Sequence, residues 1–490
     1  MQGLAGLFAR RTPPILWATL LRARGAALWL LRHDLAPKED GTSAAVSLGD
    51  GILLLRAVQE FATLERVGAL IKVRKAVHEA DGLPLTYAMG ECWRRQRTAI
   101  TKVLPHALAA DRVECAAERC GALLVAALSA AIAGGSGDSV VLDLKSQTEH
   151  ALSEWIVEIA AGVTSDATQA LRSTFLAHWR ALRYGASSAD GGVARAARDE
   201  EQLVQPHHLA FRHAARLACD ASSSCGLAAG LRAAQGDGTG EQPSLARSET
   251  APNLCFGMVA GFETTLSLVM WTLVEVGAPQ RAELRAHLRA ACRRCDGAAV
   301  ANPNPDPDPG PGPDPSRRSD GAAVAHMQEQ AALETLRSLK QRAVAGEAIN
   351  ATALANGDGE LHPLVPALLE TLRCYPPVWS LPRDVRTLRK GGRPAARFAR
   401  GDVLSMNGAT ARDWDPHVER PPMPLASFGV GERHCPAGGS GLVAAFIVLR
   451  QVLASFEFEE AVAGHAVAST RLAPTLVMDG PQYFRVKRAV

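Results

Sequence analysis

At 490 residues, 47% hydrophobic and 21% charged, the chain can bury a large core, and its length alone would allow about three domains. A formal net charge of +3 is too small to imply nucleic-acid binding. Ten cysteines lack the spacing of a disulfide framework, which a chain of this size does not need, so reducing surroundings are the simpler reading.

Residues 1–40 read as a basic targeting or membrane-surface segment. Arg10, Arg11, Arg22, Arg24 and Arg32 all precede the first acid, Asp34, in the manner of an organellar transit peptide. Plastid or mitochondrion is therefore the expected location, with the endoplasmic reticulum membrane surface or the cytoplasm as the alternative. Ile15–Leu31 is apolar but broken by Arg22 and Arg24, which makes it a poor transmembrane span. Trp93-Arg-Arg-Gln-Arg97 predicts a helix on which Trp93 and Arg97 share a face, so an indole N–H and a guanidinium can donate to one carboxylate. Arg94, Arg95, Arg97 and Lys102 read as a basic patch for an acidic electron-transfer partner, or equally as a solvated helix face. Ser146–Ala251 holds amphipathic helical patterns interrupted by Gly and Ser.

Asn253–Val276 predicts a long apolar helix, bounded by Pro252 before it and by Gly277 and Pro279 after it. At about 1.5 Å per residue it can cross a whole domain. Ala260 and Thr264 share one face, and Gly261 lets the backbone approach a flat ligand. Glu263 is an acid in an apolar helix, costly to bury without partners or a task, and it argues against lipid exposure. Cys292-Arg-Arg-Cys295 and His207, His208 and His213 lack the companions of a metal site and read as incidental surface residues. Asn302–Pro315 alternates proline with polar residues and can form neither helix nor central strand, so an insertion is expected at about 296–322.

Glu370-Thr-Leu-Arg373 places an acid and an arginine on one helix face ahead of Pro376 and Pro377. Trp414-Asp-Pro-His-Val-Glu-Arg420 follows. Last comes Ser427-Phe-Gly-Val-Gly-Glu-Arg-His-Cys435-Pro, the pattern F-x-x-G-x-R-x-C. It suits a thiolate holding haem iron: Gly431 permits a tight turn near the sulfur, Phe428 shields it, and Arg433 can pair with a propionate. The run Gly441–Arg450 predicts a buried helix whose positive end favours ionised sulfur.

These four motifs, in this order, resemble the cytochrome P-450 family of haem-thiolate monooxygenases from about Glu91 to the C-terminus. The resemblance implies a mainly α (α+β) fold, a helical haem domain with small β-sheets spanning 41–490 as one domain. It implies haem b (iron protoporphyrin IX) on Cys435, with propionates held by Trp93, Arg97, Arg383 and Arg433. Ala260, Gly261, Phe428 and Gly431 would line the cofactor, and Glu263 and Thr264 would deliver protons to iron-bound oxygen. Glu370, Arg373 and Arg420 would form a structural cluster. The implied activity is oxygen- and electron-dependent oxidation of an apolar organic substrate such as a lipid, terpenoid or carotenoid-like molecule. Electrons would come from a ferredoxin or flavin reductase. The alternatives are an isomerase or dehydratase of the same fold and a non-catalytic degenerate member. Two departures from the family pattern stand out: Ala437 where glycine is usual, and Gly441 where alanine is common.

Overall fold

The computed structural model describes residues 84–86, 88–135, 137–162, 166–184, 226–235, 244–296, 330–336, 362–378, 426–429, 431–472 and 475–489, Trp414 and Pro416, and the backbone of the strands at 45–49, 52–55, 70–72, 380–385 and 403–407. The N-terminal segment up to residue 40, the proline-rich stretch and Arg420 lie outside these residues, as do His207, His208 and His213.

Helix α1 (Gly90–Ala107) buries Trp93, Ile100 and Leu104, with the polar Gln96 on the same stripe at three- and four-residue spacing. Helix α2 (Ala110–Ala133) presents Val113, Ala117, Cys120, Leu124 and Leu128 at the same spacing. It packs against α3 (Leu144–Ala161) and against α9 (Gly438–Ser455). Asp143 caps α3, its carboxylate accepting from the amide of Ser146 at 3.4 Å and from that of Gln482 at 2.9 Å. Gly162, in the left-handed region at φ 77°, ends the helix. Helices α4 (Asp166–Tyr184) and α5 (Gly226–Ala233) pack on α3.

Through the middle runs α6 (Arg247–Gly277), touching α3, α5, α8 (Leu364–Cys374) and α9, with α7 (Ala282–Asp296) following it. It starts six residues before the expected Asn253 and passes through Pro252, whose ring-fixed φ suits a helix. Glu249 makes the earlier start possible, because its carboxylate accepts the Ala246 amide at 2.8 Å while the Glu249 amide donates to the Ala246 carbonyl at 2.9 Å. Helices α2, α6 and α9 are long and apolar enough to cross a membrane. In α6 and α9 most of that apolar surface faces other elements, with Phe262, Trp271, Phe446 and Leu449 essentially fully buried, whereas only 39% of the α2 stretch is buried. Cys292 is buried within α7, which corrects its reading as a surface residue.

Strands β1 (Ala45–Gly49), β2 (Ile52–Leu55) and β3 (Leu70–Lys72) join β5 (Ser380–Val385) and β6 (Val403–Asn407) in a sheet of order β1-β2-β6-β5-β3. All its pairings are antiparallel except β2–β6. A second sheet orders β4 (Ser139–Asp143), β10 (Tyr483–Arg488) and β7 (Phe456–Glu460), and β8 (Thr470–Leu472) pairs with β9 (Leu476–Met478) in a hairpin. Below α6 a polar line pins α8: Thr272 Oγ1 donates to Thr371 Oγ1 at 3.2 Å, and the Trp414 indole donates to the same oxygen at 3.0 Å. Trp271 stacks on Tyr375 with centroids 4.0 Å apart.

Candidate active site

Cys435 sits half-buried between a short 3-10 turn (Gly431–Arg433) and α9. Its amide donates to the Phe428 carbonyl at 2.7 Å, closing the loop on itself. Gly429 (φ 73°) supplies the left-handed backbone of this loop, and Gly431 opens the 3-10 turn that leads to the cysteine. Phe428 lies over Gly438, where a Cβ would meet the ring at 2.8 Å. The position at which a methyl is excluded is therefore Gly438. Ala437, at φ −119°, is unstrained. A Cβ at Gly441 would touch Thr265 of α6 at 3.4 Å, so the crossing of α6 and α9 is close here. Ser427 Oγ donates to the Leu372 carbonyl at 2.9 Å and ties the loop to the end of α8.

Helix α1 supplies two more groups. Trp93 is buried and carries the Arg433 guanidinium over its ring at 4.4 Å; that guanidinium also donates to the Ala88 carbonyl at 3.0 Å. Arg97 reaches across to the residue before the cysteine, donating to the His434 carbonyl at 3.1 Å and meeting its ring Nε2 at 3.0 Å. Burial pushes the Arg97 guanidinium below its ordinary value, and the negative charge of Cys435 works against that. Among the described residues no carboxylate pairs with Arg97. No sequence signal marked His434, whose neighbour in the fold is 337 residues away.

The basic patch is corrected. Arg94 is exposed beside Glu91, and Lys102 is exposed. Arg95 turns inward, its guanidinium donating to both oxygens of Glu249, one of them at 2.9 Å. Gln96 donates to that carboxylate at 3.0 Å, and Asn253 donates to Gln96 at 3.1 Å. This cluster fastens α1 to the first turns of α6. Burial alone would raise the Glu249 carboxyl, but Arg95, the Ala246 amide and Gln96 together hold it below the ordinary value.

On α6, Phe256, Val259, Ala260, Gly261 and Thr264 stay half-exposed in the middle of an otherwise buried helix. Thr264 Oγ1 donates back to the Ala260 carbonyl at 2.7 Å. Glu263 does not accompany it: its carboxylate is buried on another face and accepts from the Thr475 hydroxyl in the loop before β9. The acid and alcohol expected as a pair thus occupy different environments. A Cβ at Gly261 would meet the end of the Ile156 side chain of α3 at 2.8 Å, so the glycine also lets α3 approach α6 closely. Arg373 and Glu370 form a buried bidentate pair, both bonds 2.6 Å. Arg383 lies on β5, and only the backbone of that strand is described.

The long central helix α6 and the cysteine-bearing loop before α9, with α1 and α8 packed around them, form an arrangement known from solved structures. No family model matches the chain, and no curated protein matches it in sequence. A crystal structure of a cytochrome P450 superposes with a TM-score of 0.62 at 16% identity, covering 96% of this chain and 97% of its own. A zebra fish cytochrome P450 determined with progesterone gives 0.59 at 14%, covering 92% and 97%. A cytochrome P450 from Chondromyces apiculatus gives 0.58 at 14%, covering 94% and 96%. The chain has the cytochrome P450 fold.

Proposed function

We propose that the chain is a haem-thiolate monooxygenase of the cytochrome P450 family, inserting one oxygen atom into an apolar organic substrate. The observation that carries this reading is the Cys435 loop. A half-buried thiol lies just before a helix, and beside it stand two arginines, Arg97 donating to the His434 carbonyl and Arg433 held over the Trp93 ring. That donor set suits an iron porphyrin: a soft sulfur for the metal and guanidinium forks for propionates. Opposite it, the half-exposed face of α6 is apolar except for Thr264, which suits the flat face of a macrocycle.

In this reading Cys435 would hold the haem iron through its thiolate, and the α9 N-terminus and Arg97 favour its ionised form. Trp93, Arg97 and Arg433, with Arg383 from β5, hold the propionates. Haem bound there would supply the oxygen activation. Thr264 presents a hydroxyl on the open face of α6, and Glu263 behind it exchanges protons with the interior. Phe428, packed on Gly438, excludes water from the sulfur. Electrons come from a ferredoxin or flavin reductase, and the exposed Arg94 and Lys102 are what remains of its docking patch. The basic N-terminus supports an organellar location.

The test is the absorption spectrum of the reduced, carbon-monoxide-bound protein. The thiolate-type band is expected in the parent and in Cys374→Ala, and is lost in Cys435→Ala. A band that survives Cys435→Ala would sink the assignment. Turnover without external electrons would point to an isomerase instead.

A further inference from the structure

The sheet of β4, β10 and β7 has two edges, and the fold treats them differently. In an antiparallel ladder, alternate residues turn both backbone polar groups to one neighbour, and the residues between turn theirs to the other side. The Leu144 amide donates to the Gln482 carbonyl at 3.0 Å and the Ala461 amide to the Tyr483 carbonyl at 2.9 Å, which fixes the alternation along β10. Carried along the register, Val140 and Leu142 bond β10, whereas Ser139, Val141 and Asp143 turn their backbone groups away from it. At the opposite edge Phe456, Phe458 and Glu460 turn outward, and the Phe458 carbonyl is covered by α6, where a Cβ at Gly277 would meet it at 3.2 Å. That edge also carries the charges of Glu457, Glu459 and Glu460.

The β4 edge has neither cover nor guard among the described residues. Its sequence, Ser-Val-Val-Leu-Asp, holds no proline, no lysine and no bulge, the devices that keep sheet edges apart. Its one charge, Asp143, is at the end and is spent on capping α3. Ser139 and Val141 are exposed, and no described group bonds their outward amides and carbonyls. Val141, 51% exposed, shares the outer face of the sheet with the equally exposed Tyr483, the cross-strand partner of Asp143. Arg485 and Lys487 on that face stand opposite Glu459 and Glu457, so the positive charge of β10 is neutralised within the sheet and offers little to an anionic membrane. What the edge does offer is an apolar centre and backbone groups at the spacing of another strand.

We propose that β4 is a self-pairing edge that joins two copies of the chain, antiparallel about a two-fold axis at Val141. The alternation of the ladder allows this. Val141 presents both its N–H and its C=O outward, so it exchanges a reciprocal pair of bonds with the partner's Val141. The Asp143 amide donates to the partner's Ser139 carbonyl, while the Asp143 carbonyl stays with the first turn of α3. The Val141 pair, flanked by a Tyr483 ring from each copy, then covers the apolar centre, and the sheet runs on through both copies. Five residues at about 3.4 Å each make an edge about 17 Å long, and the sheet with α2 packed on it is about 20 Å deep. The patch is on the order of 350 Å² per copy, against about 800 Å² in a standard interface, so the dimer is weak and forms as concentration rises. No residue of this edge belongs to the Cys435 site, and the contact is independent of the oxygenase reading.

Sedimentation velocity of the full chain tests this: the coefficient is expected to rise from monomer to dimer between about 1 and 300 µM. Val141→Lys puts a guarding charge on an exposed site and should weaken association at least about tenfold with circular dichroism unchanged. Val462→Lys, equally exposed but in the turn after β7, should leave association as it is. In Val141→Cys the paired Cα atoms would lie about 5.5 Å apart, within disulfide reach. Oxidised glutathione should therefore give a covalent dimer on a non-reducing gel, beyond any that the parent forms through its exposed Cys115. A chain that stays monomeric over the whole range overturns the proposal, as does a dimer that Val141→Lys leaves equally strong. So does a Val141→Cys chain that gives no more covalent dimer than the parent. A monomeric chain that instead floats with anionic vesicles would assign the surface to a membrane, and the self-pairing edge would be refuted.

Discussion

Replacing Glu249 by Gln perturbs one charge at the joint between α1 and α6. Glutamine keeps an oxygen for the Ala246 amide but leaves Arg95 without its carboxylate, and Gln96 with a weaker acceptor. A hydrogen bond to a charged group contributes about 1.5–3 kcal/mol. The carboxylate is 7% exposed but the Arg95 side chain is 33% exposed, so screening places the loss near the lower end, about 2 kcal/mol. At about 2.1 cal/mol/K per residue, 490 residues unfolding together carry about 1 kcal/mol/K, so the midpoint should fall by about 2 °C. Calorimetry across pH gives a sharper test. The Glu249 carboxyl is depressed in the folded chain, so its contribution is full above the unfolded value, about 4.3, and is lost as pH falls through the lower folded one. The difference between parent and variant should thus be constant near neutrality and shrink at acid pH. A midpoint unchanged at pH 7, or a gap that stays constant into acid, would refute the reasoning.

Thr264→Ala should retain haem but release peroxide in place of product, since the hydroxyl stands on the open face one turn after Ala260; unchanged coupling would remove Thr264 from the proton path. Gly438→Ala drives a methyl into the Phe428 ring and should cost about 1–3 kcal/mol with reduced haem retention in gel filtration. His362 is buried, and burial, then Arg450, Arg294 and His287, hold its imidazole down to about 4. As its folded value is depressed, stability is full above the unfolded value near 6.5 and erodes as pH falls toward 4. His362→Asn, which can still accept the Leu364 amide, should flatten urea midpoints over that window. Deleting Asn302–Pro315 should leave haem content and melting nearly unaltered, because alternating prolines and polar residues offer no apolar face to bury.

Motifs whose meaning is local were legible in the sequence. The Cys435 loop, the Glu370–Arg373 pair and the apolar run of α6 each depend on residues within a few turns, so spacing alone exposes them. Direction was not legible. On a helix, neighbours 100° apart diverge, and whether Glu263 turns toward Thr264 or toward Thr475 depends on a hairpin 212 residues later. The inward turn of Arg95 was hidden for the same reason, its partner Glu249 lying 154 residues away. Gly261 reads identically whether a ligand or Ile156 excludes its Cβ.

The five-stranded sheet sets an order of events during synthesis. Ile52 to Leu55 pair with Val403 to Met406, and Leu70 to Lys72 with Val385 to Arg383, so strands emitted early wait for partners made more than three hundred residues later. At about 5–20 residues per second, the ribosome leaves those early edges open for some tens of seconds. The hairpin of β1 and β2 is paired on only one side through that interval, and two strands alone are marginal in water. Helices α1 to α7 can pack on one another meanwhile, since α2 with α3 and α3 with α6 lie nearer in sequence, whereas α9 joins α2 only at the end of synthesis. The second sheet closes later still, because β4 waits for β10 near the end of the chain. A chain halted before Val403 leaves the ribosome with an unpaired strand edge, the state in which chaperones or aggregation would claim it.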